Sequence, residues 1–223
     1  MNPVPSSPDP DRRPAAGEAA GRGRRNVVPT LSVGSLEDVQ PGALLVALPS
    51  LTDPTFAGAV VYVLDHSDTG TIGVVLGRPS EVGIADVLPG WSELAVSPGA
   101  FHVGGPCETD TALCLATRCG DGPLPADSGL RQVSGRVHLV DLDSDPELLD
   151  GEIEGLRVFA GYAGWSPGQL AVEVAEGAWA CVPGRPADVL TDATGPELWR
   201  TVLRRQTGRL AVLSTAPADP SAN

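Results

Sequence analysis

The sequence predicts an α+β domain. Segments of strand character outnumber helical ones, hairpins mix with strand–helix–strand pieces, and no repeat of fixed period orders them. At 223 residues the chain suits one domain with tails, placed here as a body over residues 31–215 between tails at 1–30 and 216–223.

Pro41-Gly42 turns the chain into Ala43 to Leu48, an unbroken apolar run of the kind a strand covered on both faces requires. Asp53-Pro54 offers a cap and a proline at a first helical position, so a helical turn is expected there. Ala59 to Leu64 and Thr71 to Leu76 read as a hairpin across the polar loop Asp65 to Gly70. Ile84 to Leu88 reads as a short helix stopped by Pro89-Gly90. Thr111 to Thr117 and Val137 to Val140 are strand-like, with a loop-rich insertion from Gly120 to Gly135 between them. Asp145-Pro146-Glu147 is cap, proline and acidic first turn of another short helix. Leu156 to Tyr162 is a strand running into a glycine-rich turn, Gly161-Tyr162-Ala163-Gly164-Trp165. Ser166 and Gln169 have capping-box spacing, opening a helix that Gly177 ends. Ala178 to Val182 is a strand. Thr194-Gly195-Pro196-Glu197 starts a helix with Leu198, Trp199, Val202 and Leu203 inward, and Arg209 to Leu213 reads as a last strand.

The first thirty residues hold six prolines and five arginines with almost no large apolar side chains, a composition too polar to offset ordering entropy. They carry net +2, which leaves −15 on the rest of a chain whose formal charge is −13. Such an acidic body repels phosphate backbones and argues against nucleic-acid binding. Every cationic residue is arginine, which reads as the imprint of a GC-rich genome rather than as mechanism. There is no N-terminal apolar signal core and no run long enough to span a bilayer, so a cytoplasmic, membrane-free protein is expected. Cys107, Cys114, Cys119 and Cys181 include no C-x-x-C pair, which excludes a zinc ribbon and a thioredoxin-like site.

Four pieces stand in order along the body. They are Pro41 to Ala47 with Pro49, Asp53-Pro54 and Phe56; His66 with Gly73 to Pro79; Val103-Gly104-Gly105-Pro106; and Gly161 to Leu170. This set resembles the YqgE/AlgH family over roughly residues 36 to 213. The resemblance implies one domain with a strongly bent, barrel-like mixed sheet and flanking helices. It also implies the label of transcriptional regulator, with no demonstrated reaction. Gly77 and Cys107 depart from the family pattern, which usually has asparagine and an aliphatic residue there.

Two places could hold a ligand. Gly104 and Gly105 could form a nest of amides for an anion, with Arg78, fixed before Pro79, as counter-charge. The start of the Ser166 helix offers amides beside Tyr162, Gly164 and Trp165, although a complete capping box would consume them. Cys107 and His102 invite a thiolate–imidazole reading, set against a small apolar cysteine beside a loop histidine. His66 reads as a solvated turn residue, and the spacing of His66, His102 and His138 supports no metal site. Arg200, Arg204 and Arg205 are expected to pair with the protein's own acids rather than with DNA. No triad, metal set or phosphate loop stands out, so no catalytic residue and no cofactor is assigned. The leading expectation is a non-catalytic cytoplasmic regulator or adaptor acting through a protein partner. The alternative is a small-anion-binding protein or enzyme using Arg78, Gly104, Gly105 and Tyr162. Nothing in the sequence sets an oligomeric state.

Overall fold

The structure, a computed structural model, describes residues 36–124 and 127–215. The two tails expected at 1–30 and 216–223 lie outside the described residues. Ten strands form one sheet: β1 (Ala43–Ala47), β2 (Val60–Ser67), β3 (Gly70–Val75), β4 (Pro79–Gly83), β5 (Ala100–Val103), β6 (Cys107–Arg118), β7 (Leu130–Ser134), β8 (Val137–Val140), β9 (Ile153–Trp165) and β10 (Trp179–Pro183). Its main path runs β10-β1-β2-β3-β9-β6-β8-β7, all antiparallel, while β4 pairs β5 and β5 pairs β9 in parallel. Five helices accompany it among the described residues: α1 (Ile84–Val87), α2 (Gln169–Ala175), α3 (Pro186–Leu190), α4 (Gly195–Arg204) and α5 (Gly208–Leu213).

The continuous apolar run of β1 is explained by what covers it. Leu44 and Val46 enter one cluster with Tyr62, Val74, Leu115, Phe159 and Val182, closed by Leu198, Val202 and Leu203 of α4 and Leu210 of α5. Strands from opposite ends of the path share that cluster, so the sheet curls around it into a half-barrel. Leu45 and Ala47 point the other way, joining Val61, Val63, Trp165, Leu170 and Trp179. The outer face of the other half is covered by Trp91, Phe101, Leu149 and Leu156. Each fully buried aliphatic side chain contributes about 1.5–3 kcal/mol. The expected fold class is therefore the observed one.

Several elements differ from the sequence reading. Arg209 to Leu213 is helical, not a strand: Leu210, Leu213 and Ser214 turn inward at the three- and four-residue spacing of a helix, against α4. Within the expected insertion, Leu130–Ser134 pairs with β8 as β7, and β4, β5 and α3 were not anticipated. Asp53-Pro54 does open the single helical turn expected there, with Asp53 Oδ1 accepting the amide of Thr55 at 2.8 Å and Asp53 O that of Ala57 at 2.7 Å. The largest difference concerns Gly161 to Trp165. These residues continue β9, and Thr71, Ile72 and Gly73 pair with Trp165, Gly164 and Ala163. Alternation survives through the glycines because Ala163 and Trp165 still point into the core.

Candidate functional site

The glycines single out a close approach of strands rather than an open turn. The amide of Gly104 donates to Ala160 O at 2.8 Å, and Gly104 O accepts from Val75 N at 2.8 Å. A methyl group on Gly104 would collide with Gly161 O, and one on Gly105 with the backbone of Tyr162. Tyr162 pairs with Cys107, and desolvation, then the carboxylate of Glu108, raises the pKa of its phenol. Gly164 is exposed on β9.

The Ser166 region is likewise closed by its own groups. Half of the capping box forms: the amide of Ser166 donates to Gln169 Oε1 at 3.1 Å. The amide of Gln169 bonds to Ser166 O instead of the serine hydroxyl, because α2 begins only at Gln169, after Gly168 at φ 77°. Trp165 and Trp179 both donate their indole N–H to Glu173 Oε2, at 2.9 and 2.8 Å, and stack edge-on with Phe56 nearby. Trp165 thus belongs to a packed aromatic cluster.

His102 is the most altered titratable side chain of the sequence candidates. It is buried, and its Nε2 accepts from Arg157 Nη1, a donor that has no acceptor capacity. The ring is therefore neutral with its proton on Nδ1, which has no partner among the described residues. Burial, then the Arg157 charge, holds its pKa down at about 4. Arg157 itself, not anticipated, donates Nε to Val189 O at 3.0 Å and Nη2 to the carbonyls of Ser97, Leu190 and Thr191 at 2.8–3.0 Å. It clamps the end of α3 to β9. Cys107 has no hydrogen bond to His102 among the described residues, so the thiolate–imidazole pair is not assembled. His66 Nδ1 meets Thr71 Oγ1 at 2.7 Å across the β2–β3 hairpin, and His138 sits by Arg136 O. Among the described residues no three His, Cys, Asp or Glu side chains group as metal ligands.

Arg78 parts company with the glycines. Its backbone carbonyl accepts from Val103 N, yet its side chain turns to the far side and donates Nη1 to Thr55 O at 2.5 Å. There it lines a cleft of about 430 Å³ between α4 and the β1–β2 connection. Leu48, Leu51, Leu76, Leu198 and Trp199 supply much of the wall. Trp199 donates its indole N–H to Ala47 O at 2.8 Å, so it offers the cleft only ring surface. Arg200 is the second charged side chain there, and no carboxylate lines it among the described residues. Partial burial lowers the pKa of Arg78 but leaves it charged at any ordinary pH. Of the other arginines expected on this helix, Arg205, at its C-terminal end, makes a two-pronged pair with Asp188, 2.6 Å at each contact, and Arg204 is exposed. A smaller cleft of about 220 Å³ lies by Arg118 and His138.

Fold and site together define a curled-sheet α+β domain with an apolar, cation-rimmed cleft. The AlgH-like family matches residues 44–211. A UPF0301 protein of Nocardia farcinica is 45% identical over 96% of this chain and 98% of its own length. One from Streptomyces avermitilis is 50% identical over 82% and 94%. A crystal structure of a Corynebacterium diphtheriae protein superposes with a TM-score of 0.74 at 35% identity, covering 80% of this chain and 93% of that one. The solution structure of the Pseudomonas aeruginosa AlgH protein gives 0.57 at 26% identity, covering 79% and 94%. The chain belongs to the AlgH-like family, whose molecular function is not established. No helix among the described residues is long and apolar enough to cross a membrane.

Proposed function

We propose that the protein is a non-catalytic binding module that holds a small anion with an apolar body in the cleft beside α4. The observation that carries this reading is Arg78: one terminal nitrogen is oriented by Thr55 O, and the side chain lines a cleft that has no carboxylate among the described residues. Such a group supplies orientation and charge, while the aliphatic walls supply affinity. The glycine turns, which the sequence placed around the same ligand, act instead by letting strands approach. A thermal-shift screen of the full chain against organic anions tests the reading. At a hundred times its dissociation constant a ligand adds about 2.7 kcal/mol, a rise of roughly 5–10 °C for a domain of this size. Loss of that rise in Arg78→Ala supports the site; a rise unchanged by the substitution, or no rise with any anion, counts against it.

A regulatory role through a protein partner is the second reading. Val82, Val87 and Val103 are 48%, 55% and 44% exposed on the β4–α1–β5 excursion from the main sheet path. Isolated exposed valines are ordinary, but three on one unit favour a contact surface there. Replacing Val82 and Val103 by serine should abolish partner capture while the melting temperature holds.

A further inference from the structure

The chemistry of the cleft narrows its occupant. The chain carries 28 acidic side chains against 15 cationic ones, yet among the described residues the cleft lining holds two arginines and no carboxylate. A zwitterion or a polyamine would bring an ammonium group with nothing to receive it. Sugar hydroxyls and peptide amides fare no better: among the described residues Thr52 is the one hydroxyl side chain in the lining, and the Trp199 N–H is already bonded to Ala47 O. A buried polar group left unpaired costs more than the contact returns.

Size and head-group geometry point the same way. If each non-hydrogen atom takes about a water's share of liquid volume, about 30 Å³, then 430 Å³ admits on the order of fourteen such atoms. Thr55 O occupies one terminal nitrogen of Arg78, and among the described residues the edge formed by Nε and Nη2 has no acceptor. That edge matches two coplanar oxygens of a carboxylate.

Resting on the binding reading above, we infer that the cleft takes an unbranched aliphatic monocarboxylate of about decanoate length, its carboxylate on Arg78 and its chain along Leu48, Leu76, Leu198 and Trp199. The charge of the lining selects the head, and its largely apolar surface selects the tail.

Competition on the full chain tests both levels separately. Anilinonaphthalene sulfonate, an apolar anion unrelated to fatty acids, reports the cleft itself: its binding should weaken at least tenfold in Arg78→Ala. Hexanoate, octanoate, decanoate and dodecanoate, kept below their micelle concentrations, then displace the dye. Affinity should rise about fourfold per methylene and level off near decanoate or dodecanoate, where the cleft is full. Decanol, with the same chain and no charge, should bind at least tenfold more weakly than decanoate in the unaltered protein, a comparison that needs no variant. Dye binding that depends on Arg78 but resists every carboxylate overturns the inference and spares the binding reading. So does stronger displacement by decyl phosphate, a nucleoside monophosphate or a leucine-ended peptide. Dye binding indifferent to Arg78 overturns both.

Discussion

Arg157 and Arg78 are both drawn out of water, and they do opposite things. Arg157 has every nitrogen engaged, by four carbonyls and His102. Among the described residues Arg78 makes one side-chain hydrogen bond, to Thr55 O, and it lines an apolar cleft. A guanidinium saturated by backbone acceptors holds structure, because nothing remains to offer a ligand. One that is oriented but unsaturated is available for recognition. Burial alone does not separate the two roles; the partners do.

The comparison breaks first at Arg157. Removing it strands four carbonyls and the cavity they surround, each unpaired group costing about 1–3 kcal/mol. Arg157→Met is expected to lose about 3–5 kcal/mol, a fall of roughly 6–20 °C in melting temperature. A fall under about 2 °C would falsify the clamp. Gly104→Ala comes next, at about 3 kcal/mol, because the added methyl meets Gly161 O on a strand that cannot withdraw. Denaturant titration checks it: a midpoint equal to that of the unaltered protein would return Gly104 to the list of ligand-binding glycines.

The same clamp predicts a pH dependence. His102 has a folded pKa of about 4, below the ordinary value of about 6.5. Protonation therefore favours the unfolded chain. The stability that neutral His102 contributes is complete above about pH 6.5 and is lost as the pH falls toward 4, at most about 3 kcal/mol. His102→Gln keeps an acceptor for Arg157 without the titration, so its stability should vary less between pH 6.5 and 4. An unchanged slope in unfolding free energy would place the acid sensitivity elsewhere.

The fold was largely legible where the pattern was unambiguous. The solid apolar run of β1 requires cover on both faces, and it has it. α5 was misread because Leu210-Ala211-Val212-Leu213 is too short for periodicity to decide, and its helical form comes from packing on α4. The glycines after Phe159 signalled a special backbone correctly. What they permit is the contact of β9 with Gly104 and Gly105, which depends on distant chain. Arg157 stood in plain view as a charge inside Leu156-Arg157-Val158-Phe159, a signal that a buried partner set exists. Its carbonyls come from Ser97 and from the residues 32 to 34 positions downstream, which no local pattern could supply. Arg78 was singled out from its place before Pro79, but its cleft is built with Leu198 and Trp199 from the far end of the chain.

Arg78→Ala should have the smallest effect on stability and the sharpest on function. One hydrogen bond from a charged donor is lost, and the site is half-exposed, so the carbonyl of Thr55 can turn to water. The expected cost is under about 1.5 kcal/mol. Ligand affinity, in contrast, should fall by at least tenfold, since an apolar cleft that has lost its anchoring charge must strip the anion of water without replacing it. Arg157→Met reverses the pattern, with large loss of stability and, in the fraction still folded, ligand affinity unchanged. Calorimetry of both variants at one temperature sets the two arginines side by side. If Arg78→Ala unfolds the protein as severely as Arg157→Met, the distinction between a saturated and an available guanidinium does not hold here. Arg78 is then a second clamp, fastening the β1–β2 connection to the sheet.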